Sequence, residues 1–152
     1  MSHSTEPPAA PEERWTIGQR AALSPHTIGA DQRLTLAAER MEQLGVHQLP
    51  VLEGGQLVGM ISRRDIAILD ALRPEQLEHM RVAQAMAGVP YCVEPGASLS
   101  AVARHMARRK LGSAVVRERG KVVGIFTTTH ALSALCELLG PADGEPSHEA
   151  TH

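Results

Sequence analysis

The sequence predicts an α+β fold made of two β-α-β-β-α units that pack as a pseudo-two-fold pair, with flexible tails at both ends. The first observation is a hairpin signal, in which apolar runs around Val51 and Val58 are joined by Gly54 and Gly55. The second is that this stretch, residues 49–65, returns 65 residues later as residues 114–130. The third is that apolar residues with helical spacing stand before and after each hairpin.

The duplication of the unit rests on a match that needs no gap. At a constant offset of 65 residues, identical residues meet along most of the chain, and many other pairs are apolar on both sides. The identical pairs are Gln19/Gln84, Ala22/Ala87, Pro25/Pro90, Leu34/Leu99, Ala38/Ala103, Met41/Met106, Val51/Val116, Glu53/Glu118, Gly55/Gly120, Val58/Val123 and Gly59/Gly124. An ungapped match of this length indicates two copies of one structural unit.

The elements of each unit follow from periodicity and from turn residues. A brief strand is predicted at 26–28 and again at 91–93. A helix follows, with apolar residues at helical spacing from Leu34 to Leu44 and Gly45 as its stop, and Ser98 is placed to cap its counterpart. The hairpin and a closing helix, at 66–72 or 131–139, complete the unit.

The predicted boundaries divide the chain into five parts. They are a tail over 1–14, a first repeat over 15–72, a linker helix over 73–81 beginning near Pro74, a second repeat over 82–139 and a tail over 140–152. The tails are rich in Pro, Ser, Ala and Glu, so we expect them to be disordered. His3, His148 and His152 lie in the tails and are interpreted as solvated.

The composition excludes several functional classes. A net charge of −2 does not indicate the basic surface that binds nucleic acid or an anionic membrane. No stretch approaches the ~20 apolar residues of a transmembrane helix, and no signal-peptide core follows Met1, so we expect a soluble, cytoplasmic protein. Motifs of serine hydrolases, P-loop proteins and zinc proteases are absent from the sequence, so we expect no enzymatic activity. Cys92 and Cys136 do not occupy corresponding repeat positions and are interpreted as buried free thiols.

A hydroxyl, two cations and a carboxylate stand together where the first hairpin meets its closing helix, as Ser62, Arg63, Arg64 and Asp65. Backbone N–H groups are unpaired at the start of a helix and favour anions. A carboxylate can also accept two hydrogen bonds from a vicinal diol, while arginines favour phosphate. The structural alternative is that Ser62 caps the helix and Asp65 supports its first turn, which is compatible with ligand binding.

These residues carry a resemblance to a known family. The order of elements, the strand Leu-Pro-Val-Leu-Glu and the ending Gly-Met-Ile-Ser-Arg-Arg-Asp resemble a cystathionine-β-synthase (CBS) domain. The tandem, over roughly 17–139, resembles the CBS pair called a Bateman module. The signature Gly-x-x-Ser/Thr-x-x-Asp is short, but it follows the hairpin and is largely duplicated in register.

The resemblance implies regulatory binding rather than catalysis. Similar modules bind adenosine-containing ligands (AMP, ADP, ATP or S-adenosylmethionine) in clefts between the two repeats and change shape. In that family the Ser or Thr of the signature contacts phosphate and the Asp holds the ribose hydroxyls, which implies Ser62 and Asp65 here. No cofactor is required, and with no effector domain in the sequence we expect a stand-alone module acting on an unknown regulated protein.

The second copy departs from the signature. It keeps a hydroxyl at Thr127 but has His130 at the position of the Asp. An imidazole cannot accept hydrogen bonds from both ribose hydroxyls as a carboxylate can. We therefore expect one ligand per chain at the Asp65 site, and a second site that is empty, altered in specificity or pH-sensitive.

Two other function classes stay open, a ligand-free dimerisation or scaffold module and a metal- or redox-responsive stress protein on the same fold. No His or Cys spacing supports a metal at His47, His105 or His130, so no metal site is predicted. The closing helices carry more apolar residues than one intramolecular face requires, which predicts a homodimer. The surplus includes Leu132, Leu135, Leu138 and Leu139.

Overall fold

The computed structural model describes residues 15–23 and 26–141, so the tail at 1–14 and the end of the second tail, with their three histidines, lie outside the described residues. The first repeat contains α1 (Ile17–Arg20), β1 (Ile28–Gly29), α2 (Leu34–Leu44), β2 (Gln48–Glu53), β3 (Gln56–Ser62) and α3 (Arg63–Leu72). A linker 3-10 helix (Pro74–His79) follows. The second repeat contains α4 (Val82–Ala85), β4 (Cys92–Val93), α5 (Leu99–Arg109), β5 (Ser113–Glu118), β6 (Lys121–Thr127) and α6 (Thr128–Leu139).

Each repeat contains one three-stranded sheet, in the order β1-β2-β3 or β4-β5-β6. The first strand of each sheet runs parallel to the second, and the hairpin supplies the antiparallel pair. Ile28 lies opposite Val51, and Val93 lies opposite Val116, so the offset of 65 residues holds in the strand pairing. The predicted α+β fold with a duplicated unit is confirmed.

The helix ends follow the predicted signals. α2 ends at Gly45, whose φ of 66° lies in the left-handed region where glycine is favoured. Ser98 caps α5, because its Oγ accepts a hydrogen bond from the N–H of Ala101 at 3.3 Å. The short first strands begin later than predicted, at Ile28 and Cys92. The predicted linker helix is present but has 3-10 geometry.

The core has one apolar cluster in each repeat and a third cluster between them. The third cluster contains Leu57, Met60 and Val115, so residues of β3 and β5 pack together across the repeats. Cys92 packs against this cluster and is half-buried, but Cys136 is exposed on α6. The interpretation of Cys136 as buried is therefore wrong, since its position on α6 faces away from the core.

The leading segment of each repeat, residues 17–23 or 82–88, packs against the other repeat. Ala22 exchanges two backbone hydrogen bonds with Ile125 of the second repeat, at 3.0 and 3.1 Å. Ala87 exchanges two with Met60 of the first repeat, at 2.8 and 3.2 Å. Because each leading segment is held by the partner repeat, neither repeat completes its own fold. Among the described residues, no helix is long and apolar enough to cross a membrane.

Candidate ligand-binding site

The first strand-to-helix junction joins β3 to α3, and its side chains form a reciprocal cap. Ser62 Oγ accepts a hydrogen bond from the Asp65 N–H at 3.1 Å, and Asp65 Oδ2 accepts one from the Ser62 N–H at 3.0 Å. The first turn of α3 brings the residue three positions on back over the strand end, which is the geometry of a capping box. The capping alternative is thus confirmed. The cap engages Oδ2 only, so Oδ1 is available to a ligand hydroxyl.

The backbone of this helix start is less open to an anion than the sequence suggested. The Arg63 N–H donates to the His47 carbonyl at 2.8 Å, and the Asp65 N–H donates to Ser62 Oγ. Two of the first three N–H groups of α3 are therefore satisfied inside the protein. The positive charge that a phosphate requires has to come from side chains at this junction.

The two arginines of the junction have different surroundings. Both are exposed, but Arg63 lines a groove of about 350 Å³ together with Ala38, Glu42 and Ile66. The acidic Glu42 places negative charge in the same groove, which opposes the binding of an anion there. Arg64 is therefore the better candidate for contact with a phosphate.

The second junction, between β6 and α6, repeats the cap with different chemistry. The Thr127 N–H donates to Nδ1 of His130 at 2.9 Å, and the His130 N–H donates to Thr127 Oγ1 at 3.4 Å. The imidazole therefore takes the place that the Asp65 carboxylate has in the first repeat. The sequence indicated the loss of a ligand group at this position, whereas the structure adds that the cap itself is kept.

The cap determines which ring nitrogen of His130 carries the proton. Because Nδ1 accepts the Thr127 N–H, the neutral ring holds its proton on Nε2. The ring lies 6.0 Å from the Phe126 ring, centroid to centroid. Partial burial lowers the pKa of His130 below its ordinary value of 6.5, so the neutral form is favoured. The second junction offers a donor at Nε2 where the first offers a carboxylate acceptor.

The two junctions lie on either side of a contact between the repeats. Gln48 is opposite Ser62 in the first hairpin, and Ser113 is opposite Thr127 in the second. Ser113 Oγ donates to Gln48 Oε1 at 3.1 Å. Since Gln48 and Ser113 correspond at the offset of 65 residues, their bond lies near the pseudo-two-fold axis.

The signature glycines have a structural role beside the junctions. A Cβ atom at Gly124 would lie 3.0 Å from Leu23 Cα and closer still to the Ala22 carbonyl oxygen. A Cβ atom at Gly59 would collide in the same way with the Ala87 carbonyl oxygen. Each glycine therefore makes room for the leading segment of the other repeat.

One cleft between the repeats does not include the two junctions, and its lining residues were not singled out from the sequence. It has a volume of about 290 Å³ and is lined by Thr27, Leu52 and Gly55 of the first repeat and by Lys121 and Val122 of the second. Its walls come from hairpins that are far apart in the chain. No local pattern marks such a cleft, because only the packing of the repeats creates it.

The residues considered for a metal have other surroundings. His105 stacks on Tyr91 with 4.3 Å between ring centroids, and His130 is engaged in the cap. Within 15–23 and 26–141, no group of three or more His, Cys, Asp or Glu side chains is arranged to hold a metal ion.

Comparison with known proteins places this geometry in one family. The family described as CBS domain matches residues 22–71 and 82–137, well over half of the chain. Among solved structures, a protein with CBS domains from Burkholderia ambifaria is 20% identical with a TM-score of 0.73, and the match covers 86% of this chain and 100% of that chain. CBSX2 in complex with AMP is 24% identical with a TM-score of 0.70, covering 82% and 98%.

A further similar structure is the CBS domain pair of protein MJ0100 in complex with 5′-methylthioadenosine and S-adenosyl-L-methionine. It is 20% identical with a TM-score of 0.70, and the match covers 80% of this chain and 100% of that chain. At these identities the likeness establishes the shared fold.

Proposed function

We propose that this chain, which belongs to the CBS domain family and carries two CBS domains in tandem, is a regulatory module for an adenosine-containing ligand. It binds AMP, ADP, ATP or S-adenosylmethionine in a cleft between the repeats at the junction that carries Asp65, and it signals to a regulated protein by a change of shape. Two similar structures that hold AMP, or S-adenosyl-L-methionine with 5′-methylthioadenosine, support this ligand class. The action on a separate regulated protein and the cytoplasmic location stay predictions.

The observation that carries the proposal is the state of the Asp65 carboxylate. It is half-buried beside the contact between the repeats, and the cap engages one of its two oxygens. The remaining oxygen can accept from a ribose hydroxyl, and Arg64 supplies charge for a phosphate. Arg63 is the weaker candidate for that phosphate because it shares its groove with Glu42.

The second junction supports an asymmetric stoichiometry of one adenosine-type ligand per chain. Thr127 keeps the hydroxyl, but His130 has its Nδ1 in the cap and only a donor to offer. Losing a charge-assisted hydrogen bond to a hydroxyl costs about 1.5–3 kcal/mol, which is a roughly ten- to hundredfold change in affinity. Binding at His130 is therefore weak or absent.

Titration calorimetry with adenine nucleotides and S-adenosylmethionine tests the assignment. Asp65→Ala removes both the cap and the ligand acceptor, whereas Asp65→Asn keeps an amide oxygen for the cap and removes the charge. We expect both variants to lose ten- to hundredfold in affinity. His130→Ala changes binding little, and His130→Asp creates a second site.

The cap requires its own control. Ser98→Ala removes a cap of the same kind from α5, away from the junction, and should lower stability by about 0.5–2 kcal/mol without changing ligand affinity. If Asp65→Asn binds as tightly as the parent, or the parent binds nothing in the panel, the assignment of the site is wrong.

A homodimer through the closing helices is proposed as well, and it is the basis of the alternative function as a scaffold or dimerisation module. The specific observation is the exposure of apolar side chains on α6. Such surfaces usually mark an interface. If no adenine ligand binds, the scaffold function becomes the leading one.

A further inference from the structure

A pocket outside the two junctions lies between the start of β1 and the last turns of α2. Its volume is about 370 Å³, and it is lined by His26, Thr27, Arg40, Gln43 and Leu44. Apart from the leucine, these residues have polar side chains, and none of them is acidic. This pocket, named the His26–Arg40 pocket, contains no residue of either junction.

Arg40 gives this pocket a fixed positive charge. Its Nη1 donates a hydrogen bond to the Thr27 carbonyl oxygen at 3.0 Å, which ties α2 to the start of β1. A guanidinium has five N–H donors in a planar fork, so this bond leaves most of them for another acceptor. Among the described residues, no carboxylate forms an ion pair with Arg40. The groove at Arg63 differs, because Glu42 lies beside the cation there.

Two stacked rings stand at the corresponding place of the second repeat. At the offset of 65 residues, His26 corresponds to Tyr91 and Arg40 corresponds to His105. The rings of Tyr91 and His105 stack with 4.3 Å between their centroids. Since Tyr91 directly precedes β4 and His105 lies on α5, the stack connects the same two elements that Arg40 connects in the first repeat. The fold therefore does not require a charged residue at the position of Arg40.

The groups that line the pocket have the chemistry of an oxyanion site. A guanidinium pairs with a phosphate through two parallel hydrogen bonds, and an imidazole offers an N–H donor in either protonation state. Gln43 and Thr27 bring an amide and a hydroxyl as further donor groups. A phosphoryl group has three strong acceptor oxygens, whereas a carboxylate has two. Donor groups on four separate side chains therefore favour a phosphoryl group.

We propose that the His26–Arg40 pocket is a second effector site, which binds the phosphoryl group of inorganic phosphate or of a small phosphate monoester. Arg40 binds two oxygens of this group, and His26 and Gln43 donate further hydrogen bonds to it. The site is independent of the adenosine site proposed above, because it shares no residue with the Asp65 junction. The second repeat has the ring stack instead, so we expect one such site per chain.

Calorimetric titration with inorganic phosphate at constant ionic strength tests the proposal. The parent should bind phosphate saturably, and Arg40→Gln should weaken this binding about ten- to hundredfold because a charge-assisted pair is lost. Arg108→Gln is the matched control, since Arg108 is exposed on α5 at the position that corresponds to Gln43. This control removes the same charge from the duplicated helix and should leave the phosphate affinity unchanged.

A double variant separates the loss of the site from damage to the fold. His26→Tyr combined with Arg40→His copies the ring pair of the second repeat, so it should melt cooperatively and bind no phosphate. If Arg40→Gln does not fold, this double variant decides the matter. Titration with glycerol 3-phosphate distinguishes the two sources of the phosphoryl group. Tighter binding of this monoester than of phosphate identifies a phosphorylated small molecule, and the reverse order identifies free phosphate.

Three results would overturn the proposal. They are a parent that binds neither phosphate nor the monoester saturably, a phosphate affinity of Arg40→Gln equal to that of the parent, and a folded double variant that still binds phosphate. An equal loss of affinity in Arg108→Gln would mean that phosphate responds only to net charge, which overturns it as well. These titrations contain no adenine compound, so this site can fail while the adenosine site stands, and the reverse.

Discussion

Replacing Gly124 by alanine should weaken the packing of the two repeats. The loss of stability should exceed that of an alanine substitution at a glycine with free space around it. The added Cβ would meet three backbone atoms of the first repeat's leading segment, the carbonyl oxygen and carbon of Ala22 and the Cα of Leu23. None of these atoms belongs to a side chain that could rotate away. The leading segment would have to move until ordinary separations of about 3.5–4.0 Å are restored.

The expected magnitude follows from what that movement breaks. Ala22 and Ile125 exchange two backbone hydrogen bonds, at 3.0 and 3.1 Å, and each contributes about 0.5–1.5 kcal/mol net. Overpacking of a closely packed contact costs about 1–3 kcal/mol more. The free energy of unfolding should thus fall by about 2–6 kcal/mol, and the melting temperature by on the order of 10 °C.

Thermal and urea unfolding followed by circular dichroism measure this change. Gly88→Ala is the matched control, since it lies in the other leading segment and an added Cβ meets nothing within 4 Å. Gly59→Ala should also destabilise, but its neighbours include the flexible Met86 side chain as well as the Ala87 carbonyl. A melting temperature of Gly124→Ala equal to that of the Gly88→Ala control would refute the steric reasoning.

Two further predictions concern pH and cooperativity. Burial lowers the pKa of His130 in the folded state, so the unfolded chain binds the proton more readily. The free energy of unfolding should therefore be highest above about pH 6.5 and should fall as the pH drops towards the pKa of the folded state. His130→Gln keeps an acceptor for the Thr127 N–H but does not titrate in this range. The urea midpoint of this variant should therefore depend less on pH than that of the parent. Equal pH dependence of the two midpoints would contradict the cap assignment. A fragment of residues 15–72 should show no cooperative melting, since its Met60 loses the backbone partner Ala87. A sharp transition of this fragment would mean that a repeat folds alone.

Much of the fold could be predicted because its signals are local and occur twice. Gly45 and Ser98 marked helix ends through their own conformational and hydrogen-bonding preferences. The hairpins followed from turn residues between apolar runs. With a duplicated unit, each assignment was supported by its counterpart at the same offset.

The exchange of leading segments was beyond sequence reasoning. Ala22 pairs with Ile125, which is more than a hundred residues further along the chain. Hydrophobic periodicity describes which side of an element is buried but not which partner buries it. The residues that line the cleft between Leu52 and Val122 were not predicted for the same reason, because its walls meet only after the repeats have packed.

The signature residues are explained largely by folding, and this changes how the ligand site has to be tested. Gly59 and Gly124 admit the leading segments, while Ser62 with Asp65, and Thr127 with His130, cap the closing helices. His130 illustrates this structural role, because it keeps the cap although it lacks the carboxylate that would bind the ribose hydroxyls. A match to the signature is therefore expected whether or not the pair binds a ligand. The carboxylate charge of Asp65 is what capping does not require, because an amide can accept the same N–H. Asp65→Asn thus separates the two roles, and its ligand affinity is the measurement that distinguishes a sensor from a scaffold.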